Sequence, residues 1–381
     1  MAKQTARTSI PHRPSVSVVQ EATQAPVARF EIYYHQVLDP KGQLLRPIPE
    51  FAKNPETLIG FYRNMVQTRT FDTKAIALQR RGQLGTYASC LGQEAIGTAI
   101  GGCMKQEDVL LPTYREYAAQ FLRGVRMTDI LLYWGGNENG MNFEIPRHDF
   151  PICVPIASQA PQAVGVAYAI RYRREKRVAV CVLGDGGTSK GDFYEAINAA
   201  GVWDLPIVFV VANNQWAISM PRKSQTRAET LAQKAIAAGI AGEQVDGNDV
   251  IALVERIEKA LTKARNGQGP TLIEALTYRL SDHTTADDAS RYRGESEVAE
   301  WRRSDPLARL RRYLTDQGIW SGQAEQELEF ESQQAVERAV QEYLGTPVQA
   351  AESMFDHLYA ALPESLNWQR RSVLNRGCHD D

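Results

Sequence analysis

Apolar positions along this chain repeat in two alternating rhythms. Asn54-Pro55-Glu56 combines a capping residue, a first-turn proline and an acid, and it predicts a helix start. Leu58, Phe61, Met65 and Ile76 then recur at the helical period until Arg81-Gly82. A second helix begins around Gln93, Val109-Leu110-Leu111 reads as a short strand, and helices fill 115–134. The stretch 135–151 has no period and reads as a long surface loop, a kind of segment that often carries function. A small-residue helix over 160–173 follows. Residues 177–183 and 205–211 are unbroken apolar runs, as expected of strands buried on both faces. A glycine turn and a helix over 192–203 separate them. Further on, 230–238 reads as helix, 244–247 as the end of a strand, 250–266 as helix and 271–278 as strand. Strands alternating with helices predict an α/β fold: a doubly wound, mostly parallel sheet flanked by helices.

The flanks differ. Residues 1–27 carry Pro, Ser and Thr without a period and read as a disordered arm rather than a transit peptide. An extended segment over 30–38 leads to a turn at Asp39-Pro40-Lys41-Gly42. The expected organisation is thus an arm (1–27), a cofactor-binding α/β domain (28–305), a helical C-terminal extension (306–362) and a tail (363–381).

Composition narrows the function classes. The 381 residues include 43 Lys plus Arg against 45 Asp plus Glu, a net charge of −2. Such a chain has no global field to hold nucleic acid or an anionic membrane. No stretch approaches the roughly 18 consecutive apolar residues of a membrane span. The five cysteines, Cys90, Cys103, Cys153, Cys181 and Cys378, are odd in number, widely spaced and without a CxxC. Free thiols in a reducing cytoplasm are expected.

The chemistry sits in Gly184-Asp185-Gly186-Gly187, at the end of one predicted strand, and Asn213-Asn214, at the end of the next. In a right-handed βαβ unit both strands end at one sheet edge, where open α/β sheets bind ligands. Mg²⁺ takes oxygen ligands, commonly one or two carboxylates together with phosphate oxygens. Asp185 offers a carboxylate, Asn214 an amide oxygen and Trp216 a backbone carbonyl. Glycines let backbone N–H groups approach phosphate oxygens, and the helix near Asp192 turns its positive end to an anion. Other readings of the glycines are a plain turn, a dinucleotide loop or a nucleotide-triphosphate loop. A dinucleotide loop expects an acid at the end of the second strand, where Ala212-Asn213-Asn214 stands. The triphosphate loop expects Gly-Lys-Ser/Thr, and Thr188-Ser189-Lys190-Gly191 has another order.

GDG followed twenty-nine residues later by the second Asn of NN resembles the thiamine diphosphate motif. Its surroundings, GDGGTSKGDFYEAINAAGVWDLPIVFVVANNQWAIS, resemble the alpha subunit of the first, decarboxylating component of the 2-oxo acid dehydrogenases. The resemblance spans about residues 30–362 and is nearest to bacterial pyruvate dehydrogenase alpha subunits. It implies thiamine diphosphate and Mg²⁺ as cofactors. It implies Asp185, Asn214 and the Trp216 carbonyl as metal ligands, and Gly184, Gly186 and Gly187 as the phosphate turn. Tyr114-Arg115 match a pair that holds the diphosphate, and Arg115 has the fork geometry for it. Ile156 and Gln159 match the segment along the aminopyrimidine. His283, in TYRLSDHTTADDASRYR, matches a histidine at the cofactor that assists decarboxylation or acyl transfer. Arg291 and Arg293 are placed to pair with Asp287 or Asp288. His148 aligns insecurely with a further family histidine and is not counted as catalytic.

The resemblance also implies partners. A beta subunit would supply the carboxylate for the aminopyrimidine in an α₂β₂ heterotetramer, with helix 160–169 as a packing surface. A lipoyl-bearing acyltransferase would receive the acyl group. Pyruvate is the expected 2-oxo acid, with branched-chain 2-oxo acids and acetoin as alternatives. From other classes, an NAD-binding dehydrogenase and a non-catalytic binding subunit remain open.

Overall fold

The structure, a computed structural model, describes residues 27–356 and 358–376. The arm expected over 1–27 lies, Val27 apart, outside the described residues, and so does the end of the expected tail with Cys378. The chain divides into a unit Met1–Glu31 and a unit Ile32–Asp381, which holds everything below.

The strands are β1 (Tyr34–His35), β2 (Val109–Leu111), β3 (Ala179–Gly184), β4 (Ile207–Asn213), β5 (Trp216–Ala217), β6 (Met220–Pro221), β7 (Ala241–Asp246) and β8 (Thr271–Leu276). Six form one sheet in the order β1-β7-β8-β4-β3-β2, and every neighbouring pair is parallel. β5 and β6 form a small antiparallel ribbon. The main helices are α1 (Pro55–Arg80), α2 (Glu94–Cys103), α3 (Tyr117–Leu122), α4 (Met127–Trp134), α5 (Gln159–Tyr172), α6 (Gly191–Val202), α7 (Arg222–Gln225), α8 (Lys234–Ala237), α9 (Val250–Arg265), α10 (Glu295–Arg302), α11 (Pro306–Asp316) and α12 (Gly322–Gly345).

The unbroken apolar runs have a simple cause. Val180, Val182, Val208, Val210 and Ile273 face one core, while Cys181, Leu183, Phe209, Val211 and Leu272 face another. Alternate residues of each central strand therefore serve opposite faces, and neither set can be polar. From β2 through β3 and β4 to β7 the chain steps one way across the sheet, and from β7 it steps back to β8. Right-handed crossovers put the helices of these two directions on opposite faces. Accordingly Ala163 of α5, Ala196 of α6 and Ala235 of α8 share one core, and Ile251 and Ile257 of α9 share the other with α1 and α2. A third core joins Phe71 and Leu78 of α1, Tyr117 of α3, Ile130 of α4 and Val336 of α12.

Several local expectations are corrected. The segment 30–38 contributes only Tyr34–His35 to the sheet. Residues 230–238 split into a 3-10 turn, Leu231–Gln233, and the short α8. Helix does not continue to 362: α12 ends at Gly345, and Pro347 cannot extend it. A short helix, Ser353–Asp356, follows, and the described part of the tail carries another, Asn367–Arg376. Loop 135–151 holds a 3-10 turn, Glu138–Met141. Its end is anchored where Asp149 pairs with buried Arg123 and accepts from Leu110 N–H at 2.8 Å. Among the described residues no helix is long and apolar enough to cross a membrane, and Cys90, Cys103, Cys153 and Cys181 are free.

Candidate functional site

A cavity of about 320 Å³ opens at the carboxyl ends of β2, β3 and β4. Tyr114 and Arg115 reach it from the loop after β2, and Gly184, Asp185, Gly186 and Gly187 from the turn after β3. Asn214 and Trp216 enter after β4, Ile156 and Gln159 at the start of α5, and His283 from the segment after β8. The topology thus brings every expected site residue to one place. His148 is exposed and does not line it.

Asp185 opens a 3-10 turn, Asp185–Ser189, that separates β3 from α6. Thr188 Oγ1 donates to the Asp185 carbonyl at 2.7 Å. Lys234, buried in α8, donates to the Thr188 carbonyl at 2.6 Å and to its hydroxyl at 3.0 Å. The turn is therefore pinned from below. A Cβ on Gly186 would lie 2.6 Å from Ala217 Cβ, so β5 can pass only over a glycine. The Asp185 carboxylate is 2 % exposed, accepts from Gln225 Nε2 at 3.0 Å and has no ion pair among the described residues. Burial pushes its pKa up to about 6, against the Gln225 bond, which lowers it.

Across the cavity Asn214 Nδ2 donates to Gln93 Oε1 at 3.1 Å, and Trp216 N–H donates to Asn214 Oδ1 at 3.3 Å. Gln215, between them, has a left-handed backbone (φ 72°), as do Ile218 (54°) and Ala157 (66°) on the cavity wall. Backbone strain of this kind gathers at ligand sites. The Trp216 carbonyl accepts from Arg279 at 3.2 Å.

The other wall is cationic. Arg115 donates to the Ser89 carbonyl and to the His283 carbonyl (2.6 Å), and its guanidinium lies 3.2 Å from His283 Nδ1. Arg279 is fully buried and donates to the Ile218 carbonyl and the Tyr292 hydroxyl, both at 2.8 Å. Burial, then Arg115 and Arg279, hold the His283 pKa down at about 4. The ring is neutral at pH 7, and because Nδ1 faces a donor, Nε2 is assigned the proton.

The expected Arg–Asp pairing in this segment does not form. The Tyr292 hydroxyl and His283 N–H take Asp287, and Asp288 caps Ser290. Arg293 donates instead to the Arg279 and Ser281 carbonyls and lies over the Tyr278 ring.

The donor chemistry fits a magnesium diphosphate. A buried carboxylate without a cation costs free energy that a divalent ion offsets. Among the described residues no group of three or more His, Cys, Asp or Glu could hold a metal. A cation here would draw on one carboxylate, an amide oxygen, carbonyls and phosphate oxygens, a set typical of Mg²⁺. Two buried amide atoms in the wall, Gln93 Nε2 and Gln159 Oε1, have no hydrogen-bond partner, and Gln159 Nε2 is held by the Val182 carbonyl at 2.7 Å.

A parallel sheet whose carboxyl edge gathers a carboxylate, an amide and a glycine turn is the arrangement expected of the thiamine diphosphate class of α/β enzymes. The dehydrogenase E1 component family matches residues 62–352. The chain is 42% identical over 328 residues to 3-methyl-2-oxobutanoate dehydrogenase subunit alpha of Mycobacterium tuberculosis (strain ATCC 25618 / H37Rv), covering 86% of this chain and 88% of that one. It is 40% identical over 342 residues to pyruvate dehydrogenase E1 component subunit alpha of Staphylococcus aureus (strain N315), covering 89% and 91%. The chain belongs to the dehydrogenase E1 components, among the alpha subunits of thiamine diphosphate-dependent 2-oxo acid dehydrogenases, which are oxidoreductases.

Gln93, Gln225 and Lys234 belong to no site motif in the sequence, and Arg279 stands there only as a flank of His283. Gln93 reads as the start of a helix and Lys234 as part of the helix over 230–238. The one available signal was Lys234 standing inside the apolar text LAQKAIA.

Proposed function

We propose that this chain supplies the diphosphate and magnesium half of the active site of a pyruvate dehydrogenase E1 component. The observation that carries this reading is the convergence of Asp185, Asn214 and the Trp216 carbonyl on one buried cavity. Asp185, Asn214 Oδ1 and the Trp216 carbonyl ligate Mg²⁺. Gly184, Gly186 and Gly187 let the backbone approach phosphate oxygens, and Tyr114 and Arg115 hold the diphosphate. Ile156 and Gln159 lie along the aminopyrimidine. Bound thiamine diphosphate supplies the electron sink that lets carbon dioxide leave a 2-oxo acid. His283, neutral with its proton on Nε2, donates a hydrogen bond to substrate or acyl group. Arg115 keeps that tautomer in place.

The beta subunit completes the site in an α₂β₂ heterotetramer. Asp185 and Glu116 are the acids of the cavity wall, and Glu116 is engaged by Thr113 N–H and hydroxyl. A carboxylate for the aminopyrimidine therefore comes from a partner. Ile156, Ile218 and Met220 beside the cavity, with Tyr168 and Tyr172 on α5, are exposed apolar surface that suits such a partner. The two-carbon unit would pass to the lipoyl disulfide of the acyltransferase component, whose S–S bond takes the two electrons: one sulfur leaves as the acetyl thioester and the other as a thiol. The free thiols suit the cytoplasm.

Asp185 within GDG and the adjoining Thr188-Ser189 support pyruvate. The Mycobacterium relative favours a second reading, a branched-chain 2-oxo acid. Comparing kcat/KM of the reconstituted component for pyruvate and 3-methyl-2-oxobutanoate decides between them. Asp185→Ala should abolish magnesium-dependent cofactor binding in the α–β assembly and leave the circular dichroism spectrum unchanged. Unaltered binding by calorimetry would sink the site assignment.

A further inference from the structure

Gln93 enters the cavity because of how the chain reaches α2. Gly92 has φ +90°, and a Cβ there would lie 2.8 Å from the Tyr278 carbonyl oxygen and 2.9 Å from Leu280 Cγ. The backbone at 91–92 thus packs directly against the segment leaving β8. Thr277 Oγ1 donates to the Gly92 carbonyl at 2.9 Å, and Leu280 N–H to the Leu91 carbonyl at 3.3 Å. This close approach leaves the Gln93 side chain in the cavity wall, 6 % exposed.

The hydrogen bonds settle which way both amides face. Trp216 N–H donates to Asn214 Oδ1, so the Asn214 amide nitrogen is the atom directed at Gln93. Gln93 must answer with its oxygen. Its Nε2 is then left over, buried and without a partner. A buried donor without a partner is costly, and native proteins seldom keep one without a use.

We propose that Gln93 binds and positions at once: it orients Asn214 so that Oδ1 faces the metal, and its Nε2 donates to a diphosphate oxygen. This rests on the magnesium diphosphate reading of the cavity. Neither bond requires Gln93 to titrate or move. The side chain links the two halves of the ligand, the cation through Asn214 and the anion directly.

Two variants separate the two duties, tested in the full chain assembled with its beta subunit. Mn²⁺ binding is read by electron paramagnetic resonance without cofactor, and thiamine diphosphate binding by calorimetry at saturating Mg²⁺. Gln93→Leu loses both bonds and should weaken each ligand about tenfold or more, the size of one lost hydrogen bond to a charged group. Gln93→Glu keeps an oxygen for Asn214 but turns a carboxylate on the diphosphate. It should retain Mn²⁺ affinity and weaken the cofactor about tenfold or more. Gln93→Leu with wild-type affinity for both ligands would overturn the proposal. So would Gln93→Glu with unchanged cofactor affinity, and so would a loss confined to the melting temperature. If the wild-type assembly binds neither Mn²⁺ nor cofactor, the underlying reading of the site fails instead, and the proposal falls with it.

Discussion

The amino end of β2 and the cavity at the carboxyl ends of β2, β3 and β4 treat buried charge in opposite ways. At the amino edge Asp108, fully buried just before β2, accepts from Arg265 at 2.8 and 2.7 Å, from Val178 N–H at 2.9 Å and from Lys105 N–H at 2.8 Å. One carboxylate thereby ties the approaches to β2 and β3 to the end of α9, and Asp108 and Arg265 offset each other's charge. Asp246 at the end of β7 pairs with Arg309 at 2.6 Å, whereas around the cavity Asp185 has no cation, and Arg115, Arg279 and Lys234 have no carboxylate within ion-pair distance among the described residues. Their bonds go to carbonyls, hydroxyls and a neutral imidazole. Buried charges left unpaired are costly, so their concentration around one cavity marks a place built for a ligand rather than for stability. Acid on one wall and guanidinium on the other suit a ligand that is itself a cation joined to an anion.

The contrast predicts opposite responses to removing an acid. Asp108→Ala strands Arg265 and two backbone N–H groups, and it should cost about 3–5 kcal/mol in urea unfolding. Cofactor affinity of the folded fraction should stay unchanged. Asp185→Asn should do the reverse. The Asp185 pKa of about 6 lies above the ordinary 3.8, so the folded chain binds that proton more tightly than the unfolded one. Its contribution is full below the ordinary value and is lost as pH rises through about 6. At pH 8 the wild-type chain carries an ionised, buried, unpaired carboxylate, and the substitution should stabilise the unloaded chain by roughly 2–3 kcal/mol. The gain should shrink at pH 5 and be reversed by saturating cofactor and Mg²⁺, which stabilise only the wild type. A destabilised Asp185→Asn chain at pH 8 would break the comparison.

How much of this could be read from the sequence depended on distance along the chain. Asp185, Asn214 and the glycines belong to one βαβ unit, so handedness and strand length alone placed them together. The strands were legible because burial on both faces leaves no polar position. Gln93 meets Asn214 across 121 residues, and Asp108 meets Arg265 across 157. No local pattern reports such pairings. Charge in the sequence also says nothing of burial: Arg279 and Lys234 look like any surface cations until the sheet encloses them. The pairing expected of Arg291 and Arg293 with Asp287 or Asp288 does not form because the Tyr292 hydroxyl and His283 N–H take Asp287, Ser290 takes Asp288 and carbonyls take Arg293. The helical reading ran on from the charged text before it into 346–362, although Gly345 and Pro347 mark a stop there.

The smallest expected effect concerns the histidine. His283 is held down at about 4 by burial and by Arg115 and Arg279, with Asp287 opposing. The neutral ring contributes stability above its ordinary value of 6.5, and that contribution is lost as pH falls toward 4. An anion bound between the two guanidiniums would offset their charge at the ring without touching its burial. Inorganic pyrophosphate with Mg²⁺ should therefore raise the His283 pKa partway toward 6.5, leaving it below because desolvation is the larger cause. The measurement is ¹⁵N-histidine NMR against pH, with the His283 signal identified by its disappearance in His283→Asn. In Asn214→Ala, where the metal is lost, pyrophosphate should move that signal less. A ring whose titration pyrophosphate and Mg²⁺ leave unmoved would show that the two cations are already neutralised within the protein, and the contrast with Asp108 would disappear.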